Sequence, residues 1–292
     1  MYLYQIVSIL FMFRVFIENR RPPYLLKMKT PNVEFYKKKN YEPILITKSN
    51  NKTYYKDEIE NWFSNHTSLN YKKLITLSPG GYKGFYMLGI VRFLKKNYNL
   101  SDYIFSGASA GAWNSLILSF KHDVDVFKNH IMDDVVQNAK SIADTEQILK
   151  NKILKYYQTK DFDLAKLFIG VTAIKNNEPH TIIYTQFDSL EDAIDCCIAS
   201  SHIPLVTGNM TYMYNNMLSF DGGFSKYPYF NVSKPVIHIT PSIWTNPNPG
   251  MVYNIHGYTT LFSKVKYNFN EICEKGYIDS YHNKEFLDKL LL

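Results

Sequence analysis

Cysteine is scarce in this sequence. Its three cysteines, Cys196, Cys197 and Cys273, are odd in number and include no C-x-x-C pair. This usage argues against a disulfide framework and against a zinc site built on thiolates. We therefore expect a protein of a reducing compartment.

Charged residues are also few. They make up 20% of the chain, below the average for soluble domains, whereas hydrophobic residues make up 46%. A chain of 292 residues with this composition can bury a sizeable core and is not disordered. The length is enough for one large α/β domain or two small ones.

The chain has no long basic run, although its formal net charge is +7 and its isoelectric point is near 9.0. The lysines occur in short clusters such as Lys37–Lys39 and Lys72-Lys73. Without a basic run interleaved with aromatic residues, nucleic acid is not an expected partner. A net positive charge does suit an anionic membrane surface.

Long hydrophobic runs are absent apart from Tyr2–Ile17. About sixteen residues of helix would span roughly 24 Å, which is short of the ~30 Å hydrocarbon core of a bilayer. Arginines follow this run, whereas a secretory signal has its positive charge in front. We interpret residues 1–27 as an apolar leader. It would anchor the protein in a membrane, lie at the membrane–water interface or pack on the fold. The leader would be absent from a protein that starts at Met28.

Two strand–turn–helix units follow each other in the sequence. Lys73–Leu77 is an apolar strand that runs into a glycine turn and then a helix ending near Asn97. Tyr103–Phe105 is a second such strand and leads into a helix at 110–120 with one apolar face. This βαβα order predicts parallel strands in an α/β sheet.

Further elements extend the α/β pattern. A hairpin is predicted from Leu167–Ile174 and Thr181–Thr185, and Ser189 is predicted to cap a helix that runs to about Ser200. The other predictions are a loop at 27–40, a strand at 43–47, a helix at 56–65, mostly helical structure at 122–157, a strand at 236–239 and a helical pair at 268–292.

The stretch with the clearest chemical meaning is Gly107-Ala108-Ser109-Ala110-Gly111, a G-x-S-x-G motif between the second strand and its helix. That position predicts a nucleophile elbow, a turn so sharp that the serine backbone is strained and its neighbours must be small. The helix N-terminus would face Ser109 and favour developing negative charge. The alternative is a glycine-rich turn with an ordinary serine.

Gly80 and Gly81 lie where the first strand ends and its helix begins. Glycine lets backbone N–H groups approach a ligand closely, so the pair is suited to form an oxyanion hole. One alternative is a phosphate-binding loop, but neither a Walker pattern nor a complete G-x-G-x-x-G is present. The other alternative is a plain turn.

A serine nucleophile also needs a base, and Asp221 precedes Gly222-Gly223 after an apolar stretch. The glycines permit a tight turn that presents the carboxylate to a partner. A free carboxylate has a pKa of about 4 and is a poor base at neutral pH. We expect the aromatic neighbours Phe220, Phe224 and Tyr227 to bury the carboxylate and raise that pKa. The alternative is an ordinary Asp-Gly-Gly turn.

Taken together, these stretches resemble the patatin-like phospholipase family over residues 74–286. The resemblance rests on five blocks in the family's order: a glycine-rich oxyanion block, a G-x-S-x-G elbow, an S-S-x-I-P block, a D-G-G block and a closing G-Y-x-D helix. Here these blocks are Pro79–Gly84, Gly107–Gly111, Ser200–Pro204, Asp221–Gly223 and Gly276–Asp279. Pro79 departs from the family pattern, which begins the first block with glycine, and proline has no N–H to donate.

The resemblance implies a three-layer α/β/α fold with a mostly parallel central sheet, and a Ser-Asp dyad that requires no metal and no other cofactor. Ser109 would be the nucleophile, Asp221 the general base, and the Gly80 and Gly81 amides the oxyanion hole. The supporting motif residues would be Lys83, which matches a basic position of the family, and Gly84, Gly107, Gly111, Gly222 and Gly223. Residues 28–72 would be an extension that packs on a catalytic domain at 73–292.

The resemblance further implies a serine lipid acyl hydrolase that releases fatty acids from phospholipid or acylglycerol at a membrane or lipid surface. Such a protein would be cytoplasmic or peripheral to a membrane. One alternative is a patatin-like module that binds lipid or membrane without catalysis, which would be expected to lose the serine or the aspartate. Another is a Ser-Asp-His esterase that uses His238, His256 or His282, all of which follow Asp221.

Overall fold

The computed structural model of the protein describes residues 43–225, 227–231, 234–245 and 267–292. The apolar leader at Tyr2–Ile17, the predicted loop at 27–40 and His256 lie outside the described residues. Across the four described ranges, no helix has both the length and the apolar character that crossing a bilayer requires.

A nine-stranded sheet forms the middle layer of the fold. Its strands are β1 (Ile44–Thr47), β2 (Lys52–Tyr54), β3 (Lys73–Leu77), β4 (Tyr103–Gly107), β5 (Leu167–Lys175), β6 (Glu178–Thr185), β7 (Tyr212–Tyr214), β8 (Met217–Phe220) and β9 (Ile237–Ile239). The order is β2-β1-β6-β5-β4-β3-β9, and β8 lies between β5 and β7. Strands β9, β3, β4 and β5 are parallel, and β1 is parallel to β6.

Helices connect these strands and cover the sheet. They are α1 (Lys56–Asn65), α2 (Gly84–Asn97), α3 (Ala110–Ser119), α4 (Val124–Ile131), α5 (Asp134–Gln137), α6 (Ile142–Tyr156), α7 (Leu190–Ser200), α8 (Phe269–His282) and α9 (Lys284–Leu291). The α2 helix connects β3 to β4, as a crossover between parallel strands requires. The predicted α/β fold with a mostly parallel central sheet is confirmed.

Both faces of the sheet are buried, because successive strand residues point to opposite sides. Leu74 and Ile104 belong to one apolar cluster together with Trp62 of α1. Ile75 and Phe105, the next residues along β3 and β4, belong to the other cluster, together with apolar residues of α2, α3, α7 and α8. Near-continuous apolar runs in β3 and β4 therefore reflect burial on both faces.

The α8 helix packs on α2 through glycines. A Cβ on Gly89 would lie 1.9 Å from the Cys273 carbonyl oxygen, and one on Gly276 would lie 2.1 Å from the Tyr86 carbonyl oxygen. The Tyr86 hydroxyl donates to the Asp279 carboxylate at 2.7 Å. The Gly276–Asp279 block therefore holds α8 against α2, the helix that follows the Gly80 turn.

Most predicted elements are confirmed, several with the expected bounds. The helix at 56–65 and the strand at 73–77 agree residue for residue, and the Ser189 hydroxyl accepts from the Asp192 N–H to cap α7. The sequence reading missed the β7–β8 hairpin. Its turn is Asn215-Asn216, with φ of 49° and 59°. Asparagine tolerates this left-handed backbone and is favoured in two-residue hairpin turns, so the pair was a readable signal.

Candidate active site

Ser109 lies on the turn between β4 and α3, with φ of 55° and ψ of −128°. A positive φ is strained for a serine. A Cβ on Gly111 would lie 2.1 Å from the Leu77 carbonyl oxygen, and one on Gly107 would lie 2.1 Å from the Gly111 carbonyl oxygen. Both positions therefore require glycine, and the predicted strand–turn–helix geometry around Ser109 is confirmed.

Gly80 and Gly81 lie between β3 and α2, beside the turn that carries Ser109. Gly81 has a φ of 51°, a left-handed backbone that favours glycine, and it opens a short 3-10 turn at Gly81–Lys83. In the part of the chain that the structure describes, neither the Gly80 nor the Gly81 N–H donates to a backbone carbonyl. Both amides are therefore available to an anion near the N-terminus of α2.

Gly84 brings this loop close to the helix that follows Ser109. A Cβ on Gly84 would lie 2.9 Å from Ala110 Cβ. Asn114 of α3 donates through Nδ2 to the Gly84 carbonyl at 3.1 Å and to the Ala110 carbonyl at 2.9 Å. Asn114 thus ties the loop to α3, a role that the sequence reading did not find. Lys83 is half-buried at the end of the 3-10 turn, and its role stays a prediction.

Asp221 directly follows β8 and is buried. Its Oδ1 accepts from the Gly223 N–H at 2.6 Å. A Cβ on Gly222 would lie 2.8 Å from Ala108 Cβ, and one on Gly223 would lie 2.9 Å from Pro79 Cγ. The Asp-Gly-Gly turn is therefore packed between the Ser109 turn and the Gly80 loop, which brings the predicted stretches together at one edge of the sheet.

A family model, "Patatin-like phospholipase", matches residues 75–230. The chain belongs to the patatin-like phospholipase family. It is also similar to a chain in the structure of the heterodimeric ExoU-SpcU complex from the type III secretion system of Pseudomonas aeruginosa, at 15% identity and a TM-score of 0.37. That similarity covers 76% of this chain and 52% of that one, so the chain spans about half the length of its structural neighbour. No curated protein gives a match to the sequence.

The S-S-x-I-P block of this patatin-like chain positions the Ser109 turn. The Ser200 hydroxyl accepts from the Ser109 N–H at 2.8 Å and donates to the Gly170 carbonyl of β5 at 2.7 Å. In the same block, the His202 carbonyl accepts from the Asp221 N–H at 2.7 Å. One short segment therefore contacts the backbone of both predicted dyad residues. The sequence reading identified this block by resemblance but assigned it no contact.

Two of the histidines proposed for a triad, His238 and His282, belong to the described residues. His238 is on β9, where its Nδ1 pairs with the Thr76 hydroxyl at 2.8 Å and its ring packs on Tyr229. Burial lowers the pKa of His238 below its usual range. His282 is the last residue of α8. Buried His202 adjoins Asp221 through its main chain, and burial also lowers its pKa.

A cavity opens beside Ser109, between α2, α3 and α6. The volume that the centre of a water molecule can occupy in this cavity is about 90 Å³. A single water molecule needs roughly 10–15 Å³ of such volume. Its walls are mostly apolar, with Phe85, Leu88 and Ile117 among the lining residues. The cavity has room for several carbon atoms of a chain.

The carboxyl of Glu146 lies in this apolar wall, and the sequence reading did not single it out. Glu146 is on α6, is 6% exposed and lines the same cavity as Ser109. Burial raises the pKa of Glu146 to about 8, and the neighbouring Asp221 carboxylate contributes in the same direction. The Ser201 hydroxyl and the Trp113 indole act on Glu146 as hydrogen-bond partners and oppose this rise.

Within the described ranges, no group of at least three His, Cys, Asp or Glu residues is arranged to hold a metal ion. Cys196, Cys197 and Cys273 are buried free thiols.

Proposed function

We propose that this protein is a serine lipid acyl hydrolase that releases fatty acids from phospholipid or acylglycerol, with Ser109 as nucleophile and Asp221 as general base. The observation that carries the proposal is the packing of the Asp221 turn against Ala108 and Pro79. It brings a buried carboxylate to the edge that also holds the strained serine. Membership of the patatin-like phospholipase family supports the reaction class.

In the proposed first step, Ser109 Oγ attacks the ester carbonyl carbon while the Asp221 carboxylate accepts the hydroxyl proton. The carbonyl oxygen becomes an oxyanion. When the tetrahedral intermediate collapses, the C–O bond to the alcohol breaks and Asp221 returns the proton to the leaving oxygen. A water molecule, deprotonated by Asp221, then attacks the acyl-enzyme and releases the fatty acid.

The oxyanion needs hydrogen-bond donors that are already oriented. The Ser109 N–H is engaged by Ser200, so it is not a free donor. The Gly80 and Gly81 amides are the donors we propose, and the N-termini of α2 and α3 add favourable partial charge. The absence of an N–H at Pro79 then matters little, because the two glycine amides supply the hole.

The cavity beside Ser109 supports an acyl chain as the group that is transferred. Its apolar residues would bury the chain, at roughly 25 cal/mol for each Å² removed from water. The net charge of +7 favours an anionic lipid surface as the place where the substrate is met. For the protein as a whole, we therefore propose a membrane or lipid surface as partner.

Fatty-acid release tests the proposal. Wild type, Ser109→Ala and Asp221→Asn would be incubated with vesicles of phosphatidylcholine and phosphatidylglycerol, with Ser119→Ala as control. Ser119 is a second buried serine on α3, and its hydroxyl donates to the Leu116 carbonyl within the helix. We expect both dyad variants to lose activity by a factor of about 10³ or more, and Ser119→Ala to keep it.

Two outcomes would contradict the proposal. Undiminished release by Ser109→Ala or Asp221→Asn would exclude the proposed dyad. Absence of release by wild type, together with no fluorophosphonate labelling of Ser109, would favour a lipid-binding module without catalysis. The lipid part fails if the enzyme cleaves soluble p-nitrophenyl butyrate as well as it cleaves vesicle lipid.

A further inference from the structure

The cavity beside Ser109 has a carboxyl group in a largely apolar helical wall. Helix α6 presents one face to it, through residues spaced at one turn of a helix. These cavity-facing residues are Ile142, Thr145, Glu146, Leu149 and Ile153. Thr145 is within hydrogen-bonding reach of Tyr82 in the Gly80 loop, whereas Glu146 lies towards Ser201 and Trp113. We name this face the α6 wall.

The polar groups around Glu146 are already paired with one another. The Ser201 hydroxyl donates to the Cys197 carbonyl at 2.9 Å and accepts from the Trp113 indole N–H at 3.1 Å. Another cavity-lining hydroxyl, that of Thr207, donates to the Ser201 carbonyl at 3.0 Å. Ser201 and Trp113 also act on Glu146 as hydrogen-bond partners, but they share their hydrogens with these other acceptors, and burial outweighs their effect on the Glu146 pKa.

A carboxyl in this setting is neutral at neutral pH, because burial holds its pKa near 8. A neutral carboxyl group has one O–H donor and retains acceptor capacity on its oxygens. An unsubstituted alkyl chain would remove water from this group and offer no hydrogen bond in return, which is costly for a buried polar group. A chain with a hydroxyl or another oxygen substituent would restore the hydrogen bond.

We propose that Glu146 is a specificity-determining residue, which makes the cavity beside Ser109 select acyl chains that carry an oxygen substituent over unsubstituted chains. The inference rests on the proposed function, in that the cavity receives the acyl chain of the substrate. The inference names acyl chains with an oxygen substituent as the substrate class, which a wholly apolar pocket would not select.

Binding to a hydrolysis-deficient variant tests the selectivity directly. Ser109→Ala would be titrated with methyl decanoate and with methyl decanoates hydroxylated at successive carbons, by displacement of a fluorescent alkyl probe. We expect the best hydroxylated ester to bind about three- to tenfold tighter than methyl decanoate. Adding Glu146→Met should abolish that preference, whereas adding Glu146→Gln, which keeps hydrogen bonding, should retain it.

Leu149→Met is the matched control, since it alters the same helix face without touching a polar group. It should leave the preference unchanged. Equal binding of all the esters, binding of none of them, or an undiminished preference in the Glu146→Met protein would overturn the inference. Fatty-acid release from vesicles by wild type is measured separately, so the proposed function can stand when this inference fails.

Discussion

Two regions enclose the space beside Ser109, and they are built differently. One is the glycine edge, made of the turns at Gly80–Gly84, Gly107–Gly111 and Asp221–Gly223. There, an added Cβ would meet another atom at 2.1 to 2.9 Å, and at Gly107, Gly111 and Gly222 the nearest atom is a backbone carbonyl oxygen. The other is the α6 wall, which is made of side chains around a cavity. The glycine edge is thus specified by backbone geometry, and the α6 wall by side-chain chemistry.

The largest effect is expected at the glycine edge, from Gly111→Ala. The new Cβ would lie 2.1 Å from the Leu77 carbonyl oxygen and 2.8 Å from that of Ser78, so backbone must move. We expect a loss of about 4 kcal/mol or more in the free energy of unfolding, or no folded protein. Urea denaturation measures it.

Gly208→Ala is the control for that substitution. A Cβ there would meet His202 ring atoms at 3.6 Å or more, which is ordinary contact. The change in unfolding free energy should stay within about 0.5 kcal/mol. Similar losses of unfolding free energy for Gly111→Ala and Gly208→Ala would show that close backbone contacts do not set the cost of a side chain at the glycine edge.

The second prediction concerns the α6 wall and pH. Burial raises the pKa of Glu146 from 4.5 to about 8, so the folded state binds an extra proton between these values. Stability of the wild type should therefore fall as pH rises through that window, by at most about 1.4 kcal/mol per pH unit from this residue. Glu146→Gln lacks this loss of stability. Its gain in stability over wild type should therefore be small below pH 4.5, grow up to pH 8 and then level off.

Thermal melts from pH 4 to 9 measure the stability of Glu146→Gln relative to wild type. The control is Glu60→Gln, because Glu60 is exposed. The pH dependence that is common to wild type and Glu146→Gln cancels in this comparison, and the groups that interact with Glu146 are Asp221, Tyr82, Tyr212 and Cys197. An offset between Glu146→Gln and wild type that does not change with pH would mean that the carboxyl ionises normally in the fold.

A smaller effect is expected where the S-S-x-I-P block supports the glycine edge. Ser200→Ala leaves the Ser109 N–H and the Gly170 carbonyl without their shared partner, at a cost of about 1–3 kcal/mol. Because the Ser109 turn is then less firmly held, kcat on vesicles should fall about tenfold with little change in KM. Ser189→Ala, at the N-cap of the same helix, should cost about 1 kcal/mol and leave kcat unchanged. Equal kcat values for Ser200→Ala and Ser189→Ala would show that Ser200 does not position the Ser109 turn.

The same contrast explains what the sequence could predict. The glycine edge depends on local motifs, since Gly107, Gly111 and Gly222 are glycines because their turns admit no side chain. Five such blocks in order were enough to predict the fold class and the family. The proposed roles of Ser109 and Asp221 come from the same blocks and remain predictions.

The α6 wall was not predicted, because its meaning arises only when α6 packs across the cavity. Glu146 lies in a mixed polar and apolar segment, and its neighbours Trp113 and Ser201 are distant in sequence. A signal was present: Ile142, Leu149 and Ile153 share a helical face with Glu146, and a carboxyl on an apolar face is unusual. Contacts through Asn114 and through the His202 carbonyl had no comparable signal.

We propose that Asp221 activates Ser109 without a histidine. The most direct test is the rate at which a fluorophosphonate labels Ser109, with the labelled peptide identified by mass spectrometry. We expect Asp221→Asn to be labelled at least about 100-fold more slowly than wild type, and His238→Ala to be labelled at the wild-type rate. Labelling of Asp221→Asn at the wild-type rate would exclude Asp221 as the base, and loss of labelling in His238→Ala would show that a histidine is required.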